Sequence, residues 1–92
     1  MAKTNGGQGQ LTGPFVANTE MLYLVKADAK VSAINYLTKV GITAERGSFV
    51  RINGIEFEIG KTGILEFEDV QITSLKFSGD ANERAIIDYY YE

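Results

Sequence analysis

Five acidic side chains crowd two short segments, Glu56 and Glu58 in one and Glu66, Glu68 and Asp69 in the other. Carboxylates so spaced could offer several oxygens to a hard cation such as Ca²⁺, or serve as acid and base in glycoside cleavage. Each use makes a further demand. Calcium loops gather Asp and Asn with Gly in one tight turn, which Gly79-Asp80-Ala81-Asn82-Glu83 imitates only faintly. A glycosidase needs a deep cleft with one acid kept protonated by burial. The glutamates alternate with Ile55, Phe57, Ile59, Leu65 and Phe67, so the simpler account is a solvated sheet face. Gly60-Lys61-Thr62 resembles the end of a phosphate-binding loop. The glycine that should stand five positions earlier is Ile55, however, and the segment joins two strands instead of opening a helix.

The residue inventory narrows the chemistry further. A chain of 92 residues with no Cys, His or Trp has no disulfide framework, no thiolate metal site and no imidazole base or ligand. Ser, Thr and Lys nucleophiles then lack their usual partner, so the reading is not an enzyme, with no catalytic, cofactor-binding or metal residues assigned. The net charge of −3 is unevenly divided: residues 1–46 carry five basic and three acidic residues, and residues 47–92 carry four and nine. Strands that project Glu and Asp would repel a phosphate backbone, so no nucleic-acid partner is expected. No apolar stretch suits a secretory signal or approaches the roughly 20 residues of a membrane span; the expectation is synthesis in the cytoplasm and no membrane partner.

Two segments suggest contact surfaces. Residues 1–14 hold Gly6, Gly7, Gly9 and Gly13 with Gln and Asn, too little apolar area to offset about 1–2 kcal/mol of backbone entropy per ordered residue. They are read as a flexible arm, either a loose terminus or one that orders on a neighbouring subunit with Leu11, Phe15 and Val16 as its anchors. At the other end, Tyr89, Tyr90 and Tyr91 are consecutive, and successive strand residues face opposite ways, so all three cannot enter one core. Tyrosine is enriched at interfaces, which makes these three further contact candidates.

Positioning falls to the elements of a single β-rich domain, residues 15–92. The apolar run Glu20 to Val25 reads as a strand. Ala27, Val31, Ile34, Leu37 and Val40 draw one stripe at helical spacing, with Asp28 near the start and Gly41 at the C-cap, predicting a helix over about 27–40. Alternation then takes over. Residues 48–52 and 55–59 flank Asn53-Gly54, the signature of a type I′ hairpin. A second hairpin is expected at 60–63, a bulge or bend near Thr73-Ser74 where Leu75 and Phe77 fall out of phase, a turn at 79–82, and a last strand over 84–91. The sum is a strand-rich α+β fold: one helix packed on an antiparallel sheet, or a partly closed barrel or sandwich, of about five to six strands joined as a meander. A domain of this size without disulfides or metal often leans on oligomerisation.

The Gly/Gln/Asn-rich start, the Asn53-Gly54 hairpin, Val-Gln-Ile-Thr-Ser-Leu-Lys-Phe at 70–77 and Ile-Ile-Asp-Tyr-Tyr-Tyr-Glu at 86–92 together resemble small structural proteins of tailed bacteriophages. The resemblance covers about the last third of the chain plus the arm and is one of overall style. It implies a decoration or head/tail accessory protein in the virion, homo-oligomeric, bound to a repetitive capsid, neck or tail protein. The alternative is a β-rich module that binds carbohydrate or a receptor for a phage or cell-surface assembly.

Overall fold

The computed structural model describes residues 7–30 and 34–91. Seven strands and one helix follow in the order β1 (Gly7–Thr12), α1 (Met21–Ala29), β2 (Leu37–Thr43), β3 (Phe49–Ile52), β4 (Ile55–Glu58), β5 (Ile64–Ile72), β6 (Leu75–Phe77) and β7 (Ile86–Tyr91). The strands form two antiparallel sheets, ordered β1-β7-β2-β5 and β4-β3-β6. The strand-rich α+β class is as expected, and the sheets are open, not closed into a barrel. Neighbours in sequence are mostly not neighbours in space, so the expected meander is replaced by crossovers between sheets.

One core serves both sheets. Val40, Ile42, Ile87 and Tyr89 come from the first, Val50, Ile52, Leu75 and Phe77 from the second, and Met21 and Val25 from α1; all are essentially inaccessible to solvent. Phe57 and Phe67 meet between the two sheets with ring centroids 5.2 Å apart.

The helix lies earlier than the spacing predicts. Met21 and Val25, an i, i+4 pair, are its buried side, and the continuous apolar run around them hides that period. Glu20 caps the start and Lys30, at φ 58°, ends it in the left-handed region, its N–H donating to Lys26 O at 3.0 Å. Asp28 therefore sits in the last turn, and Gly41 lies inside β2 instead of capping a helix. Val31 lies outside the described residues. Ile34, before β2, is buried, and so are Leu37 and Val40, where the β2–β5 pairing shifts: Leu37 pairs with Ile72, but Lys39 pairs with Glu68. That irregularity turns both Leu37 and Val40 inward and imitates a helical stripe.

The Asn53-Gly54 hairpin forms as read, with φ 53° and 83° at its central residues and Ile52 paired with Ile55. The second expected hairpin does not form, since β4 and β5 belong to different sheets. Gly60 to Gly63 is a link between them; Gly63, at φ 73°, starts β5 by accepting from Ala44 N at 2.9 Å. The phase change near Thr73-Ser74 has the same origin. Ile72 ends a strand of one sheet and Leu75 begins a strand of the other, so the alternation restarts.

Residues 7–12, read as part of a loose arm, are the edge strand β1, paired with β7 from Gly7↔Tyr91 to Thr12↔Ile86. Burial here is supplied by the partner strand. The Tyr91 and Tyr89 rings cover Gly7 and Gly9, and Leu11 is half-buried against the core. Residues 1–6 of the expected arm lie outside the described residues.

Candidate functional site

Strand β7 sorts the tyrosines by parity. Tyr89 points into the core and is 1% exposed, Tyr91 shares that side half-buried with its ring 6.2 Å from Tyr89, and Tyr90 stands on the opposite, outer face. Tyr89 Oη donates to Asp28 on α1. Burial first, then that hydrogen bond and the charges of Asp28 and Tyr91, push the Tyr89 hydroxyl well above the ordinary phenol range.

The arm anchors divide likewise. Phe15 is 5% exposed, stacked on Phe77 at 5.5 Å, and its N–H and C=O bond to Ala81. It is a core residue, as Tyr89 is, and neither is available as a contact. Leu11 and Tyr91 are half-buried. Val16 is 67% exposed, and Tyr90 is half-buried on the outer face.

The outer face of the first sheet is a polar array set by the register. Gln8, Tyr90 and Lys39 form one row, with Lys39 Nζ 5.4 Å from the Tyr90 ring centroid. In the next row Gln10 Nε2 donates to Asp88 Oδ1 at 2.9 Å, and Gly41, beside Asp88, leaves a notch. Glu66 and Glu68 continue the rows on β5, whereas Glu56 and Glu58 lie on the other sheet. The four glutamates therefore do not share one face. Among the described residues no group of three or more acidic side chains comes within ligating reach of one point.

At one margin of this array runs β1, which among the described residues pairs with β7 alone. Gly13 N–H donates to Ala85 O at 2.8 Å, in register with the β1–β7 ladder. Antiparallel alternation then turns the backbone groups of Leu11, Gly9 and Gly7 toward β7, and those of Gln8, Gln10 and Thr12 outward. All three outward residues are exposed, and β1 contains no charge and no proline.

The chain matches no protein-family model. Nor is there a significant match among curated proteins or solved structures. Function therefore has to be argued from this geometry.

Open hollows also lie among the described residues. One of about 500 Å³ is lined by Arg46, Gly47, Glu58, Ile59, Gly60 and Lys61, and another of about 290 Å³ lies beside Phe49 and Phe77. Gly60-Lys61-Thr62 forms a turn closed by Gly63 N–H to Gly60 O at 2.9 Å and leads into a strand, so its amides are not arrayed around an anion as a phosphate loop requires. Sequence reasoning had no means of finding the edge role of β1, since nothing local in Gly-Gln-Gly-Gln-Leu-Thr signals a strand. The one available clue was long-range: glycines at 7 and 9 match tyrosines at 91 and 89 with the same step of two.

Proposed function

We propose that the protein is a non-enzymatic virion structural protein, a decoration or accessory component that binds a repetitive capsid, neck or tail lattice. The observation that carries the reading is the uncharged edge strand β1, paired on one side only among the described residues, beside a polar outer face. Such an edge offers a ready row of donors and acceptors to another strand, and natural monomers usually blunt it. Many copies on one lattice would multiply a weak individual contact by avidity, which suits a small domain. The phage-like style of 70–77 and 86–92 supports the same reading, those segments being the end of β5 with β6, and β7, the strand that holds β1.

The carbohydrate-binding alternative draws on fewer observations. Of the three terminal tyrosines only Tyr90 stands on the outer face, and Lys39 lies beside its ring.

Density-gradient purification of particles from the source of this sequence, followed by an antibody against the chain, tests the proposal. The chain should band with the particles in many copies. Its recovery only in the soluble fraction would sink the reading.

A further inference from the structure

The two sheets leave four edges: β1, β5, β4 and β6. Three carry protection. β5 bears Glu66, Glu68 and Asp69, β4 bears Glu56 and Glu58, and β6 is three residues long and bears Lys76. Antiparallel pairing of β5 or β4 with its own copy would gather like charges along the new ladder, which is unfavourable. β1 has six residues and no charge, and its exposed residues Gln8, Gln10 and Thr12 turn their backbone groups away from β7.

We propose that β1 is a self-pairing edge: a second copy of this chain lays its own β1 antiparallel along the first, joining the two four-stranded sheets about a dyad at Gln10. The inference deepens the assembly reading above by naming the first partner. With the dyad at Gln10, Gln8 faces Thr12 of the second copy and Gln10 faces Gln10, so the three outward-facing residues of each strand meet those of the other. The side chains suit like-to-like contact. An amide carries both donors and acceptors, and the bond to Asp88 uses one donor of Gln10, leaving its oxygen and second N–H for its counterpart. On the inner side Leu11 of each copy comes opposite Gly9 of the other, against the Tyr89 ring that covers it. Pro14 and the turn of the chain at Gly13 end the ladder, so the contact is short. A short ladder buries far less than the about 1,600 Å² of a standard interface, and the dimer is correspondingly concentration-dependent.

Sedimentation velocity of the full chain over a dilution series tests this, with Gln10→Lys as the disrupting variant. Lysine at 10 can pair with Asp88 within the monomer yet places two like charges at the dyad. The wild type should shift from monomer to dimer with concentration, and Gln10→Lys should weaken the dimer by about two- to fivefold with an unchanged circular dichroism spectrum. A second arm does not depend on that variant folding. The chain has no cysteine, so Gln10→Cys introduces a single thiol whose counterpart, at the about 5.5 Å Cα separation of a hydrogen-bonded pair, lies within disulfide range. Mild oxidation should cross-link Gln10→Cys and leave Glu66→Cys, on the opposite edge, monomeric. A wild-type monomer at every concentration, a dimer indifferent to Gln10→Lys, or equal cross-linking of the two cysteine variants would each overturn the proposal. Banding with particles is read separately: a chain that bands but never dimerises fails only here, and one that dimerises but never bands fails only in the virion reading.

Discussion

The ring of Tyr89 lies over Gly9, its antiparallel partner on β1, and occupies the space where a Cβ at position 9 would stand. The glycine is needed for that close approach, and the aromatic ring in turn covers an edge-strand backbone that would otherwise be bare. Gly9→Ala must push aside a ring that is 1% exposed and bonded to Asp28. Overpacking of this kind costs about 1–3 kcal/mol, partly offset by the lower entropy of the unfolded alanine chain. Gln8→Ala, on the exposed face, should stay within about 0.5 kcal/mol. Urea midpoints decide: equal values for the two variants would mean that the ring has room to move.

Removing only the Tyr89 hydroxyl separates packing from hydrogen bonding. Tyr89→Phe should cost about 1.5–3 kcal/mol through the lost bond to the Asp28 carboxylate, whereas Tyr89→Ala empties a core position and should cost about 3–5 kcal/mol. Tyr90→Ala, on the outer face, should cost much less than Tyr89→Ala. Melting temperatures ranked otherwise would reverse the assignment of inner and outer faces on β7.

The same hydroxyl predicts how stability depends on alkaline pH. In the unfolded chain Tyr89 loses its proton near the ordinary value of about 10. In the folded protein burial, chiefly, and then Asp28 hold the proton to higher pH. A raised folded-state value means that this contribution is fully present below about pH 10 and is lost as pH rises beyond it, because the unfolded state is then favoured by ionisation. Urea titrations between neutral pH and pH 11 should show wild type losing stability faster than Tyr89→Phe above pH 10; parallel curves would show that this hydroxyl does not govern the decline.

How much of this was legible depends on whether the determining contact was local. Asn53-Gly54 carries its φ requirement in two adjacent residues, and the hairpin follows as read. The alternation of Ile87 and Tyr89 against Asp88 and Tyr90 also survives, because parity is a property of the strand itself. The helix is misplaced because its period is obscured within an apolar run, while a register shift between Leu37 and Lys39 gives β2 a false one. The edge β1 is invisible locally, since its burial comes from Tyr89 and Tyr91, far along the chain. The candidate site inherits this division. Val16 is exposed and Tyr90 lies half-buried on the outer face, but Phe15 and Tyr89 are claimed by partners, Phe77 and Asp28, that only the crossovers bring near.

Glu20 illustrates such a crossover contact and yields a fourth stability test. Its carboxylate caps α1 and also accepts from Ser74 Oγ at 2.7 Å and Leu75 N at 2.8 Å, tying the helix start to the point where the chain changes sheets. Hydrogen bonds to a charged group contribute about 1.5–3 kcal/mol, so Glu20→Ala should destabilise by about that amount and Glu20→Gln by less. Hydrogen exchange adds a spatial readout. The Leu75 amide should lose protection in Glu20→Ala more than the Val50 amide does, and a uniform loss would mean that the carboxylate acts on global stability alone.

Asn53 combines the legible and illegible parts in one side chain. Its backbone meets the turn requirement, but its Oδ1 also accepts from Thr73 N at 2.9 Å and Ser74 N at 3.2 Å, while its Nδ2 donates to Gln71 O at 3.0 Å. The tip of one hairpin thereby pins the link between β5 and β6. Glycine at 53 would suit the left-handed turn at least as well, so turn chemistry alone predicts that Asn53→Gly is neutral or stabilising. The structure predicts the reverse: loss of these bonds should cost about 1–3 kcal/mol, with Asn53→Asp intermediate because it keeps the acceptor oxygens and loses the donor to Gln71. Chemical denaturation of the three proteins distinguishes the two accounts. An Asn53→Gly variant as stable as wild type would reduce Asn53 to a turn residue and leave the β5–β6 link held by other contacts.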